Sequence, residues 1–353
     1  MPFPRPNSIP YDIPTPNNMG MVRYVLALAV LIEHFNVLAG TDFYFPLSSY
    51  NAVGGFFALS GFLIYGSYLK RPQIIHYIGR RALRILPAYF ATVIIFAVGL
   101  CAISDIGAGA YFGSGQFWKY LAANIGFANF IEPTLPGVFT DAAIPAVNGS
   151  LWTMKVEWML YLSVPAVAWL VARLRRNCAT VCIVIYILSA AYRALFLWLF
   201  EQTGNEIYSI LGRQFLGQMM YFYCGVIIYV YFDSFRCRPA MTFAVAMALM
   251  SASCINEYTF ILLQPVAISA LVLWFSMIGR WGTWEGKSDN VSYNIYLLHY
   301  PIIQIAVFFH LPTRIGNLQA LVAVILITAI VACLMNICVE KPIQHFFKRP
   351  TKQ

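Results

Sequence analysis

Three ionisable residues lie inside the first long apolar stretch of this chain, residues 20–39. Arg23 precedes His34 by eleven residues. On a helix, at about 100° per residue, that spacing brings the two side chains back to nearly one face, roughly 16 Å apart along the axis. Ionisable groups at membrane depth are costly and usually mark a functional site. The pattern predicts a site for a long substrate with an anionic tail. The alternative is a histidine that only hydrogen-bonds a neighbouring helix, but the added charge of Glu33 favours function.

Composition indicates what kind of protein carries these residues. Of 353 residues, 60% are hydrophobic and only 10% are charged, whereas soluble domains carry about 25% charged residues. We therefore predict an all-α polytopic membrane protein with ten transmembrane helices. The ten apolar runs are 20–39, 51–69, 85–104, 150–171, 178–200, 213–233, 240–255, 258–278, 291–310 and 318–339.

Basic residues alternate between the connections and thereby predict the orientation. They concentrate in every second connection, while the opposite connections hold acidic or neutral residues. This alternation places both termini in the cytoplasm, and it explains the net charge of +9 without nucleic acid. We predict a Pro-rich cytoplasmic tail over 1–19, a membrane domain over 20–340 and a basic cytoplasmic tail over 341–353. The tail over 1–19 has no apolar core, so it is not a cleavable signal peptide.

The longest non-cytoplasmic connection, residues 105–147, contains the short apolar stretch FWKYLAANIGFANFI. It is too short to span comfortably, so we expect an interfacial or re-entrant helix with Trp118 and Tyr120 at the interface. The polar, Gly- and Pro-rich remainder is suited to holding an external acceptor.

The cysteines predict neither disulfides nor a metal site. They are scattered, form no CxxC pair and mostly lie in apolar runs, as small buried hydrophobic residues do. They are Cys101, Cys178, Cys182, Cys224, Cys237, Cys254, Cys333 and Cys338. No cluster has metal-ligand spacing, so we predict no metal and no tightly bound cofactor.

Three further segments carry polar residues at membrane entrances. In RRALRILPAYF, the arginines Arg80, Arg81 and Arg84 serve either as an orientation signal or as a phosphate clamp, and the two roles are compatible. In GGFFALSGFLI, small residues indicate close helix packing, and Ser60 can hydrogen-bond across it.

The third segment is NGSLWTMKVEWMLYL, which begins at residue 148. Lys155 and Glu157 are two residues apart and do not face each other on a helix, whereas Glu157 and Tyr161 do. Each charge needs a partner, supplied either by an interhelical ion pair or by a polar cavity.

These segments, in this order, resemble the motifs of the acyltransferase-3 family of integral membrane acyltransferases. That family has an Arg, ten residues and a His in its first span, then FFxLSGFLI, RRxLRIxP, SLWTxxxExxxY, SYxIYLxHxP and EKP. The matching positions are Arg23 with His34, then 56–64, 80–87, 150–161, 292–301 and 340–342. Six motifs in order cover almost the whole chain.

The resemblance implies transfer of an acyl group, often acetyl from acetyl-CoA, to a hydroxyl of an exported or surface glycan or a lipid-linked sugar. It implies an essential His34 and donor handling by Arg23. We predict catalytic roles for His34 and Glu157, and donor binding by Arg23, Arg80, Arg81 and Arg84. Further candidate substrate or oxyanion contacts are Ser60, Lys155, Tyr161 and His299. Acetyl-CoA would be a co-substrate, and the location a bacterial plasma membrane.

Two mechanisms and two other functions remain open from the sequence. His34 either takes the proton of the attacking hydroxyl or accepts the acyl group as a relay across the membrane. The other functions are a glycan or lipid flippase that uses the intramembrane charges, and a silent assembly factor acting with other envelope polysaccharide proteins. We see no inverted repeat in the order of the motifs, and an acetyl-CoA binding or hydrolysis assay separates the enzyme from both.

Overall fold

A computed structural model describes residues 17–278 and 290–348 of the chain. Within these residues every regular element is a helix and no β-strand is present, which confirms the all-α prediction. The first eight helices are α1 Met19–Ala39, α2 Ser49–Lys70, α3 Ile74–Gly99, α4 Ala108–Gly113, α5 Gly115–Ile125, α6 Trp152–Leu174, α7 Cys178–Thr203 and α8 Glu206–Gly212. The others are α9 Phe215–Val230, α10 Phe232–Cys237, α11 Pro239–Ser253, α12 Glu257–Met277, α13 Val291–Phe308, α14 Leu311–Ile315, α15 Asn317–Met335 and α16 Lys341–Lys348.

Eight helical segments of the described chain are long and apolar enough to cross a membrane. They are Met19–Ala39, Ser49–Lys70, Ile74–Ile103, Trp152–Leu174, Cys178–Thr203, Glu257–Met277, Val291–Phe308 and Asn317–Phe347. The other two predicted spans, 213–233 and 240–255, coincide with the shorter helices α9 and α11, of 16 and 15 residues. All ten runs are thus helical, while the count of ten and the side of the termini stay predictions.

Large apolar side chains cover the outside of the long helices. Ile187, Leu188 and Ile330 are about three-fifths exposed (58%, 64% and 61%), although they lie in the middle of apolar helices. The interior, in contrast, holds polar side chains such as Gln264, His299 and Glu340, each fully buried. Apolar exposure outside and hydrogen-bonded polar groups inside are what a lipid environment selects.

Two elements differ from the sequence-based expectation. Helix α3 begins at Ile74, eleven residues before the apolar run at 85, so the three arginines lie within the helix and not in a loop before it. The reason is that hydropathy marks the apolar part of a helix and not its first turns. The stretch after residue 114 forms the short helix α5, with Trp118 61% exposed as expected, but Tyr120 is only 2% exposed and belongs to the core.

The cysteines are all free thiols. Cys178, Cys182 and Cys224 are buried as predicted, but four others are exposed, so burial does not describe the whole set. The exposed ones are Cys237, Cys254, Cys333 and Cys338. Several predictions lie outside the described residues: the tail over 1–16, the basic residues Arg280 and Lys287, and the end of the C-terminal tail beyond 348.

The chain divides into two compact units. Of the described residues, unit 1 takes 17–26, 50–78 and 156–278, and unit 2 takes 27–49, 79–155 and 290–348.

In unit 1, α2 and α9 approach each other closely because both carry glycines at the contact. A Cβ added to Gly61 would lie 1.9 Å from the carbonyl oxygen of Phe222, and one added to Gly225 would lie 2.0 Å from that of Ala58. Gly54 similarly makes room for the ring of Tyr221, 2.5 Å from where its Cβ would be. The glycines of the GGFFALSGFLI segment therefore serve backbone packing, as small residues do between membrane helices.

Candidate functional site

In unit 2, the two histidines His34 and His299 form one pair. The Nδ1 atom of His34 lies 2.7 Å from Nε2 of His299. Their rings are nearly parallel, with centroids 5.0 Å apart and planes at 11°. The ring of Tyr300 packs against that of His34 in a T-shaped arrangement, with the centroids 5.2 Å apart. The structure thus brings together two predicted site residues that are 265 positions apart in the chain.

The hydrogen bonds of His299 determine which atom of His34 is free to act. Nδ1 of His299 lies 3.2 Å from the backbone carbonyl of Ile295, which can only accept, so this nitrogen donates. In the neutral ring the other nitrogen, Nε2, then accepts, and the donor to it is Nδ1–H of His34. The Nε2 atom of His34 is left with its lone pair, the form in which imidazole acts as a base or a nucleophile.

Exposure separates the roles of the two rings. His299 is fully buried, at 0% exposure, whereas His34 is half-buried. A reacting group must be reachable by substrate, and a group that fixes a tautomer need not be. The arrangement therefore assigns the accessible position to His34 and the supporting position to His299.

The segment that begins at residue 148 packs directly on the helix that carries His299. Asn148 donates through Nδ2 to the carbonyl of Leu297 at 2.8 Å, and the hydroxyl of Thr153 lies 2.9 Å from that of Tyr296. Gly149 leaves space for the ring of Tyr300, which lies 2.8 Å from where a Cβ would be. The segment that begins at residue 148 and the SYNIYLLHYP segment of α13, which are far apart in the sequence, are thus in direct contact.

Proline explains why Asn148 is needed there. Pro301 lies inside α13 and has no N–H, so the carbonyl of Leu297, four residues earlier, loses its helical donor. A bare carbonyl in a buried helix costs free energy, and the Asn148 amide satisfies it. Ser150 holds that amide in place, because its backbone N–H and its hydroxyl donate to the side-chain oxygen Oδ1 of Asn148 at 3.1 and 2.7 Å.

Glu33 has a local structural role. Its carboxylate accepts the backbone N–H of Ser49 at 2.5 Å and the Ser49 hydroxyl at 2.7 Å. Ser49 is the first residue of α2, where backbone N–H groups lack helical partners. Glu33 therefore caps a helix N-terminus, which accounts for a charge beside His34 without a catalytic duty.

The three arginines predicted to clamp phosphate lie on the early turns of α3, half-buried. Arg80 and Arg84 are four residues apart on this helix and share a face. Two buried guanidinium nitrogens of Arg80, Nε and Nη2, have no hydrogen-bond partner among the described residues. Unsatisfied charged donors of this kind are expensive, so they suit an anionic ligand.

Arg84 has a neighbour of opposite charge in Glu340, the glutamate of the EKP motif. The Glu340 carboxylate is fully buried and interacts favourably with the Arg84 charge. The side-chain amides of Asn290, Asn294 and Asn336 donate to it at 3.2, 3.1 and 2.8 Å. The π-helical turn Asn336–Glu340 carries this group, and such turns often occur at functional positions.

Helix α13 connects the arginines with the histidine pair. Asn290, the residue before α13, donates to the backbone carbonyl of Arg84 at 3.3 Å and to Glu340, and His299 follows nine residues later. Nine helical residues rise by about 13.5 Å. Unit 2 therefore holds an arginine-rich end and a histidine pair about that far apart along one helix.

In unit 1, three other predicted residues come together. The hydroxyl of Tyr161 donates to the carboxylate of Glu157, one turn away on α6, and lies 3.4 Å from the hydroxyl of Ser60. Pro165 frees the carbonyl of Tyr161, and the hydroxyl of Tyr77 donates to it at 2.9 Å. Arg23, also in this unit, is half-buried in α1.

The structure changes part of the expectation for Lys155. An ion pair or a polar cavity was expected, but its ammonium lies over the ring of Phe130, 5.0 Å from the centroid, in unit 2. A cation–π contact of this kind is a modest interaction at a half-exposed site. Among the described residues Lys155 forms no ion pair, and they contain no group of three or more His, Cys, Asp or Glu that would hold a metal ion.

Comparison with known proteins agrees with these motifs. Residues 17–337 match the family model described as an acyltransferase domain, Acyl_transf_3. This match covers most of the chain, so the chain belongs to that acyltransferase family, and as a class it is an all-helical polytopic membrane protein with an acyltransferase domain.

Two curated relatives are similar to it. "Nodulation protein 10" of Rhizobium leguminosarum bv. viciae is 29% identical over 200 residues, 54% of this chain and 52% of that protein. An "O-acetyl transferase" of Shigella phage Sf6 is 23% identical over 310 residues, 82% of this chain and 86% of that protein. The match thus spans about half the length of the first and most of the second. No solved structure gives a significant match.

Proposed function

We propose that this protein is a membrane O-acyltransferase that moves acetyl from acetyl-CoA to a hydroxyl of an exported or surface glycan. The observation that carries the proposal is the His34–His299 pair, in which an accessible imidazole has its Nε2 lone pair free. The printed name of the phage relative supports acetyl as the group and oxygen as the acceptor atom. The glycan acceptor and the bacterial plasma membrane rest on the motif resemblance.

In the proposed reaction, Nε2 of His34 takes the proton of the acceptor hydroxyl while that oxygen attacks the thioester carbonyl carbon. The C–O bond forms, the C–S bond breaks, and the thiolate receives the proton from the imidazolium. Ester and free thiol are the products, so atoms and charges balance. Donation from Nδ1 of His34 to His299 keeps the ring oriented throughout.

The donor would bind with its phosphates at the arginine-rich end. Arg80 carries buried, unsatisfied donors there, and Arg81 and Arg84 are further candidates in the same unit. Arg23, in unit 1, stays a separate candidate on the motif resemblance alone. The separation of about 13.5 Å along α13 suits a donor whose anionic part and reactive thioester are joined by a long flexible arm.

The first test is His34→Ala in the purified full chain in lipid nanodiscs. Release of free thiol from acetyl-CoA in the presence of a glycan acceptor should fall to background, because the base is gone. His76→Ala removes an exposed histidine from α3 and is the matched control. Equal activity of the His34 variant and the control would refute the proposal, and wild-type protein that neither binds nor consumes acetyl-CoA would favour a flippase.

His34→Gln separates a catalytic from a structural histidine. Glutamine retains hydrogen bonding but does not cycle a proton near neutral pH. We expect it to fold and to be inactive. A labelled acetyl group that stays on wild-type protein in the absence of acceptor, and is absent from His34→Gln, would establish the acyl-relay route instead of direct base catalysis.

A further inference from the structure

A second basic group lies in unit 1, inside the span Cys178–Thr203. Arg193 is half-buried in α7, with its guanidinium over the ring of Tyr50, 5.1 Å from the centroid. It donates to the Tyr50 hydroxyl and interacts electrostatically with the hydroxyl of Tyr221 beside it. Both partners are neutral phenols, and in the described part of the chain Arg193 forms no ion pair. A cation in a membrane helix normally has an opposite charge nearby.

Fully buried residues hold this cluster in place. Tyr221 donates to the side-chain oxygen of Gln264 at 2.5 Å and its hydroxyl lies 3.0 Å from that of Tyr50. The Gln264 amide in turn donates to Asn51. Tyr221 and Gln264 are 1% and 0% exposed, whereas Tyr50, Asn51 and Arg193 are half-buried. The accessible groups are thus oriented by inaccessible ones, as in a built binding site.

Backbone features make room for the same cluster. The stem of Arg193 packs against Gly217, where a Cβ would lie 3.0 Å from its Cγ, and Gly54 admits the ring of Tyr221. In this unit α2, α9 and α12 begin within eight residues of the cluster, so it lies near one end of those helices. A ligand can therefore approach it without crossing the whole span.

We propose that Arg193, Tyr50 and Asn51 form a binding site for an oxyanion, a carboxylate or a phosphate. The guanidinium has five N–H donors, of which the phenols use only part, and its planar fork matches both oxyanions. The amide of Asn51 and the hydroxyl of Tyr50 add neutral hydrogen-bonding groups beside it. The oxyanion comes either from an acidic sugar or sugar phosphate of the acceptor or from an anionic lipid headgroup. The site goes beyond the proposed acyl transfer, and its test needs no acyl donor.

The test measures thermal unfolding of the full chain in phosphatidylcholine nanodiscs, with D-glucuronate or glucose 1-phosphate as probe and glucose as neutral control. A second arm replaces part of the phosphatidylcholine by phosphatidylglycerol. We expect one of the two anion sources to raise the unfolding temperature of the wild-type protein. Arg193→Gln should weaken that binding by about tenfold or more. Arg213→Gln, which removes an exposed arginine just before α9, is the matched control and should keep it.

Stabilisation by the sugar anions alone identifies the acceptor as the source, and stabilisation by phosphatidylglycerol alone identifies the lipid. No stabilisation by either, or equal stabilisation of Arg193→Gln, overturns the proposal. If Arg193→Gln does not fold, Arg193→Lys and Tyr50→Phe replace it. Each should bind the same anion several-fold more weakly, because the fork or its orienting hydroxyl is lost. If both of these replacement variants bind the anion as tightly as the wild-type protein, the proposal is also overturned.

Discussion

At the scale of single residues, the proposed chemistry depends on one nitrogen atom, Nε2 of His34. Nδ1 of His34 donates to a histidine whose own Nδ1 is engaged by a carbonyl, and this fixes where the lone pair lies. The relation is that of a reacting group and a buried partner that orients it. His299 is therefore a positioning residue for the proposed reaction.

His299→Ala should lower kcat about 10–100-fold, because His34 loses the acceptor that fixes its tautomer. KM for acetyl-CoA should change little, since His299 is fully buried and has no place in donor binding. Steady-state kinetics in nanodiscs measure both quantities, and His299→Asn, which retains an acceptor, should recover part of the rate. A rise in KM at unchanged kcat would contradict the positioning role.

Arg80 is the sharpest test of the donor site, because Arg84 also interacts electrostatically with Glu340. Arg80→Ala should raise the Kd of acetyl-CoA about tenfold or more if a charged hydrogen bond is lost. Binding of labelled acetyl-CoA to purified protein measures this. Arg71→Ala removes an exposed arginine shortly before α3 and should leave the Kd unchanged. If the Arg80 variant and this control bind acetyl-CoA equally well, Arg80 serves only as a signal for the orientation of the chain in the membrane.

At the scale of helices, prolines leave backbone carbonyls without a helical donor, and side chains from other segments donate to them. Pro301 frees the carbonyl of Leu297 for Asn148, and Pro165 frees that of Tyr161 for Tyr77. Each case ties one segment to another, in the first case two residues before His299 and in the second at Tyr161. The prolines inside α6 and α13 thereby act as attachment points and not merely as kinks.

A double-mutant cycle tests this attachment in unit 2. Asn148→Ala should lower the free energy of unfolding by about 1–3 kcal/mol, because the Leu297 carbonyl is left unsatisfied. Pro301→Ala restores a helical N–H, so Asn148→Ala should be less harmful in that background. Unfolding in a denaturing detergent, followed by circular dichroism, gives the four free energies. If the two substitutions change the free energy of unfolding additively, Asn148 does not compensate for the donor that Pro301 removes from the Leu297 carbonyl.

The helices themselves were largely predictable, and the contacts between them were not. Apolar runs of spanning length predicted a helix at ten places and each of them is helical, because length and composition are local properties. The start of α3 was missed, since its first turns carry charge. The pairing of His34 with His299 joins residues 265 positions apart, and a single sequence contains no signal for such a pairing. Pro301 did indicate a freed carbonyl, but nothing indicated that Asn148 would supply the donor.

Arg193 shows the opposite case, in which a signal was present. A cation within the apolar run 178–200 carries the same functional implication as His34. Its partners Tyr50 and Tyr221 were not predictable, because tyrosine is common throughout this chain, with 22 copies. The roles of the predicted site residues remain predictions, although the structure shows which of them are neighbours.

At the scale of the whole molecule, the alternation of basic connections predicts the orientation in the membrane. Ten spans with both termini cytoplasmic place the connection at residues 201–212 on the side opposite to the C-terminus. A periplasm-active phosphatase fused within residues 201–212 should be active, and the same reporter fused after Lys352 inactive. A cytoplasm-active fluorescent reporter should give the reverse pattern at both positions. Agreement of the two fusion sites in sidedness would exclude the ten-span arrangement.

The two compact units are interleaved along the chain, since each is built from three separate stretches. No contiguous piece of the gene encodes either unit alone. A library of truncated fragments, or a swap of one half with a relative, would cut both units at once. Recombination with related sequences should therefore succeed through exchange of nearly the whole reading frame or of single surface loops, and intermediate crossovers should be rare among functional chimaeras.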